Sequence, residues 1–107
     1  MNTLKQLRDA KELILDPANW SRNHIASNKS GNEVEVFDED AISFDMIGSL
    51  RKVSGPDKDT KPAIKLLREH SCGKDGSIFE FNMNSSHETV LAAFDNAIIA
   101  VQTETVK

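Results

Sequence analysis

The stretch from residue 85 to 101 limits what this chain can fold into more than any other. Val90, Leu91, Phe94, Ala97, Ile98 and Val101 recur three and four residues apart, the spacing that gathers side chains on one face of an α-helix. Ser85, with Glu88 three residues later, has the pattern of a capping box, in which the hydroxyl accepts a free N–H of the first turn and the carboxylate reaches back to the cap. A stripe carrying leucine, phenylalanine and isoleucine is costly to leave in water. The helix must therefore dock, with Leu91, Phe94 and Ile98 inside.

What it docks on is a small core. The 107 residues, 38% hydrophobic and 28% charged, suit one soluble globular domain spanning residues 1–107. With five Phe, one Trp and no Tyr, that core must be mainly aliphatic. No apolar run approaches the roughly 18 residues that cross a bilayer. Residues 1–6 lack the unbroken apolar segment of a secretory signal. Cys72 is the single cysteine, so no internal disulfide can form, and beside Gly73 it reads as a loop thiol. These features point to a reducing cytoplasm.

Upstream, Thr3 is expected to cap a first helix whose stripe is Leu4, Leu7, Lys11 and Ile14, stopped by Asp16-Pro17. Trp20 follows at once and is expected to pack back over that helix. Between residues 24 and 37 the period changes. Ile25 precedes a polar turn at residues 28–32, and Glu33-Val34-Glu35-Val36-Phe37 then alternates, which predicts a hairpin with Val34 and Val36 facing inward. Asp38-Glu39-Asp40 should open a second helix, because carboxylates cap N–H groups and meet the positive dipole end. Ile42, Met46, Leu50 and Val53 supply its buried face. Gly48 inside it costs about 1 kcal/mol relative to alanine, which implies that another element comes close. Thr60 and Pro62 begin a third helix that Gly73 ends, and Ser77-Ile78-Phe79-Glu80-Phe81 alternates as a short strand able to join the hairpin. The expected fold is α+β: about four helices around a small antiparallel hairpin or three-stranded sheet. The first, second and last helices and Trp20 should form its core.

The strongest charge feature is acidic. Glu33, Glu35, Asp38, Glu39, Asp40 and Asp45 lie within thirteen residues that hold no Lys or Arg. Three accounts compete. The plainest is a solvated hairpin face followed by a helix cap; the second is a surface for a basic partner, including mimicry of a phosphate backbone. The third is a metal site, which the diverging side chains of Asp38, Glu39 and Asp40 make the weakest. Asp57-Lys58-Asp59 suggests a calcium loop and fails it, since Pro62 stands where the turn glycine belongs and Arg68 where the bidentate glutamate belongs.

Seven cations follow, Arg51, Lys52, Lys58, Lys61, Lys65, Arg68 and Lys74, but the net charge is −4 and no Phe, Trp or Tyr lies among residues 58–74 to stack on bases. Direct nucleic-acid binding is therefore disfavoured. His24, His70 and His87 are 46 and 17 residues apart, which is no metal-ligand spacing. A phosphate-binding loop, nucleophile elbow and zinc pattern are all missing from the sequence. No catalytic residue, metal ligand or cofactor is assigned.

Three of these segments together resemble a family of small uncharacterised bacterial and phage proteins. They are Leu13-Ile14-Leu15-Asp16-Pro17-Ala18-Asn19-Trp20; Ala41, Phe44, Gly48 and Leu50; and the closing run from His87 through Val90-Leu91 and Phe94-Asp95 to Ala97-Ile98. Two places depart from the pattern: Ser43 and Asp45 flank Phe44 where the family tends to carry cysteines, and Phe81-Asn82-Met83 stands where Trp-Asn-Asp is usual. The resemblance implies a bacterial or phage intracellular protein and assigns no activity.

The leading expectation is a non-enzymatic protein-binding protein. Glu33, Glu35, Asp38, Glu39, Asp40 and Asp45 would engage a basic partner, in one version a bacterial immune complex inhibited by a phage protein. The alternatives are a small metal-dependent or histidine-based hydrolase using His87 with Asn82 or Asp95, and a structural subunit whose opposite charge segments join copies.

Overall fold

The computed structural model describes residues 2–73 and 75–106. Helix α1 spans Thr3–Leu13, and Asn2 caps it one residue earlier than expected, its Oδ1 accepting the Lys5 N–H at 2.8 Å. Leu7, Ala10 and Ile14 form its buried face, with Leu4 and Lys11 at the margin and Leu15 exposed. Asp16 then caps a short 3-10 turn, Pro17–Asn19, accepting the Ala18 N–H at 2.9 Å.

The strand pairing differs from the expected hairpin. Strand β1, Ala26–Ser27, pairs antiparallel with β2, Ser43–Phe44, in the register Ala26–Phe44 and Ser27–Ser43. The polar turn forms as expected, with Asn28 Oδ1 accepting the N–H groups of Ser30 and Asn32 at 3.0 Å each. Beyond it, the run from Glu33 meets β1 at a single bridge, Ser27–Glu33, closed by the Val34 N–H on the Ala26 carbonyl. The ladder goes no further because the Glu35 carbonyl accepts the Asp38 N–H at 3.0 Å and turns the chain away. β2 takes the other edge of β1 because Phe44 belongs to the core, 2% exposed.

Helix α2, Met46–Ser54, consequently starts later than the acids at 38–40 predicted. Those residues make their own turn, the Asp40 N–H bonding to Asp38 Oδ1 at 2.8 Å. Ile42, expected on the helix face, precedes β2 and is 48% exposed. Met46 and Leu50 are buried as expected. Gly48 is indeed a point of close approach: a Cβ there would stand 2.0 Å from the Ile25 carbonyl oxygen.

Helix α3, Lys61–Glu69, buries Ala63 and Leu67. Its first N–H is capped by Asp59, whose Oδ1 accepts from Lys61 at 2.9 Å, while Thr60 makes no side-chain cap. Residues 77–81, expected as a strand, open helix α4, Ile78–Asn84. Ile78 and Asn82, four residues apart, face inward together, and Ser77 Oγ caps the Glu80 N–H at 3.2 Å. The fold is thus α+β as expected, with five α-helices among the described residues where about four were anticipated. Helix α5, His87–Val106, closes the chain. Ser86 Oγ, one residue after the expected cap, accepts the Thr89 N–H at 3.1 Å. Val90, Ala93, Phe94 and Ala97 are buried, with Leu91, Ile98 and Val101 packed on their margin. α1 lies against both α2 and α5, so the first, second and last helices form the core as expected.

Candidate functional site

The acidic residues are not all where a binding surface needs them. Glu33, Glu35, Asp38, Glu39 and Asp40 are exposed on the irregular connection between β1 and β2. Asp45 is not among them. It is 1% exposed and caps α2 from inside, its Oδ1 accepting the Gly48 N–H at 2.7 Å. The expectation that Asp45 shares the partner surface is therefore corrected: the strand before it carries Phe44 into the core and the acid with it. Its Oδ2 is buried and, among the described residues, has no hydrogen-bond partner. Loss of water raises the carboxyl from 3.8 to about 6, against smaller lowering by the Gly48 and Ile47 N–H groups and by the Arg51 charge.

The exposed connection contributes residues to two clefts. In one, Ile25, Glu33, Val34, Glu35, Val36 and Phe37 face Arg51 and Pro56 across a groove of about 450 Å³. Asn28, Lys29, Ser30, Glu39, Asp40 and Ile42 line the other, a recess of about 330 Å³. Phe37, 45% exposed, stands between the two acidic groups, and the Lys52 ammonium lies 5.5 Å from its ring centroid. Glu33 lies 3.8 Å from His24. The groove was not legible in sequence, because Arg51 and Pro56 reach it from the end of α2 and nothing local marks them.

The residues weighed for hydrolysis are engaged elsewhere. The His87 ring donates from Nε2 to the Ile14 carbonyl at 2.7 Å, closing the end of α1, and lies 5.4 Å from the Trp20 ring. Asn82 is fully buried: its Oδ1 accepts from Trp20 Nε1 at 2.8 Å and from the Met46 N–H at 3.3 Å, and its Nδ2 donates to the Ser21 and Arg22 carbonyls at 3.0 Å each. Arg22 stacks on Trp20 at 4.8 Å and donates to the carbonyls of Met83 and Ser85. Asp95 pairs with Lys11 at 2.6 Å. Trp20, Asn82 and His87 thus form one joint that ties the exit of α1, the start of α2 and the α4–α5 corner together. Asn82 follows the run 77–81 expected as a strand and lies on helix α4 instead; Ser77 with Glu80 three residues on was the cap signal that could have placed it there.

Among the described residues, no group of three or more His, Cys, Asp or Glu is placed to hold a metal ion. Among those same residues, no helix is long and apolar enough to cross a membrane.

Fold and surface together define a small α+β domain with a tight aromatic–amide joint and an acidic, partly apolar outer edge. The chain belongs to a family of unknown function, DUF6197, whose model matches residues 1–100. Neither the curated proteins nor the solved structures contain a match to it.

Proposed function

We propose that this is a non-enzymatic, cytoplasmic protein-binding domain whose exposed connection at residues 33–40 engages a basic surface of a partner protein. One observation carries the reading: five carboxylates, Glu33, Glu35, Asp38, Glu39 and Asp40, are exposed within eight residues, with Phe37 exposed among them and Ile42 exposed just beyond. Carboxylates of one sign steer an oppositely charged partner and fix its register. Exposed apolar side chains beside a cleft supply the desolvated anchors that charge alone does not. His87 and Asn82 are taken up in the joint with Trp20 and Asp95 pairs with Lys11, which supports binding over hydrolysis. One specific version, suggested by the resemblance to phage proteins, is an inhibitor that covers a cationic surface of a bacterial immune complex.

The triple variant Glu35→Lys, Asp38→Lys and Asp40→Lys tests it. These side chains are exposed, so the variant should fold with an unchanged circular-dichroism spectrum. Proteins captured from a bacterial lysate by the parent chain, identified by mass spectrometry, should be lost with the variant, and their capture should weaken as salt rises. Equal capture by both chains would remove the reading.

A further inference from the structure

We infer that the partner is held by strand addition: an extended basic segment pairs its main chain with the open edge at Glu33 and Glu35. This rests on the acidic-surface reading and adds the mode of recognition. Backbone groups of successive residues in an extended run point to opposite sides. The Asn32 carbonyl and the Val34 N–H face β1, bonding to the Asn28 N–H and the Ala26 carbonyl at 3.0 and 3.1 Å. Glu33 and Glu35 therefore turn their main-chain groups away from β1. Among the described residues, the N–H and carbonyl of Glu33 and the N–H of Glu35 have no partner, whereas the Glu35 carbonyl is taken by the Asp38 N–H. Two donors and one acceptor are thus presented along a run that lines the groove of about 450 Å³.

Charge selects the occupant. Glu33, Glu35 and Asp38 stand along this run, and no Lys or Arg occurs in residues 33–45. Arg51 lines the same groove, and the Lys52 ammonium lies over the Phe37 ring. Ile25, Val34 and Phe37 offer the groove an apolar lining. A segment that alternates lysine or arginine with aliphatic residues matches both features. Its main chain supplies the affinity and its alternate side chains the selectivity, as in other sheet-edge recognition.

The probe is a short blocked peptide of alternating lysine and valine, followed by amide NMR of the labelled protein. Binding should shift the Glu33 and Glu35 amide signals and slow their exchange with solvent. Methylating the peptide nitrogens that face the edge should weaken binding roughly tenfold or more, the loss expected for one or two main-chain hydrogen bonds. Glu33→Lys with Glu35→Lys should abolish it. If the methylated peptide binds equally, or the two amides stay still while the carboxylate region responds, strand addition is overturned and the acidic-surface reading survives. If the peptide fails to bind at low salt, both fall. If the edge instead joins two copies of this chain, seen as a concentration-dependent rise in mass lost in the Glu33→Lys and Glu35→Lys variant, the basic-segment occupant is overturned.

Discussion

Asp45 shows how much a single position depends on its surroundings. A carboxylate at a helix start is ordinarily favourable, yet here it lies inside with Oδ2 unpartnered among the described residues, and its carboxyl rises from 3.8 to about 6. Between those values the folded chain binds a proton that the unfolded chain has released, so stability falls as pH rises through this interval. The rise corresponds to about 3 kcal/mol at most. Asp45→Asn keeps an oxygen for the Gly48 N–H and cannot ionise. We expect urea midpoints measured from pH 4 to pH 7 to fall less steeply for the variant than for the parent. Identical slopes would show that the carboxyl titrates normally. The sequence pattern placed the cap at Asp38-Glu39-Asp40 and Asp45 on the outer acidic surface. Burial separates them, and burial is set by the partner strand.

At the scale of elements, periodicity found most of the helices, misjudged one boundary and mistook one helix for a strand. Met46 and Leu50 are buried as their spacing predicts, yet Ile42 lies outside the helix because Phe44 is drawn into the ladder with Ala26. Residues 77–81 alternate like a strand, but Ser77 capping Glu80 and the inward pair Ile78 and Asn82 make a helix. Five residues are too few for periodicity to decide, and the cap carried the better signal. Gly48 was readable as a close approach, though not what approaches it. Gly48→Ala would gain about 1 kcal/mol of helix propensity and place a carbon 2.0 Å from the Ile25 carbonyl oxygen. The clash should win, with a net loss of roughly 1–3 kcal/mol in chemical denaturation. A stabilised variant would mean that β1 and α2 can separate freely.

For the molecule as a whole, α5 is the wall on which α1 closes. Phe94 is fully buried at its centre, and Phe94→Ala should cost roughly 3–5 kcal/mol of unfolding free energy. A loss below about 1 kcal/mol would contradict its core placement. The joint of Trp20, Asn82 and His87 holds the other end. It joins segments that lie 62 residues apart at Trp20 and Asn82 and 73 apart at Ile14 and His87.

The sequence by itself determined the apolar faces of α1, α2 and α5, the tight turn after β1 and the run of exposed acids, because each is a matter of spacing or turn chemistry among neighbours. Only tertiary structure decided that β1 would pair with Ser43–Phe44, that Asp45 would go inside while Asp38 stayed out, and that Asn82 would link three segments. Those outcomes depend on which buried groups find hydrogen-bond partners across long stretches of chain, and local pattern carries no record of that competition.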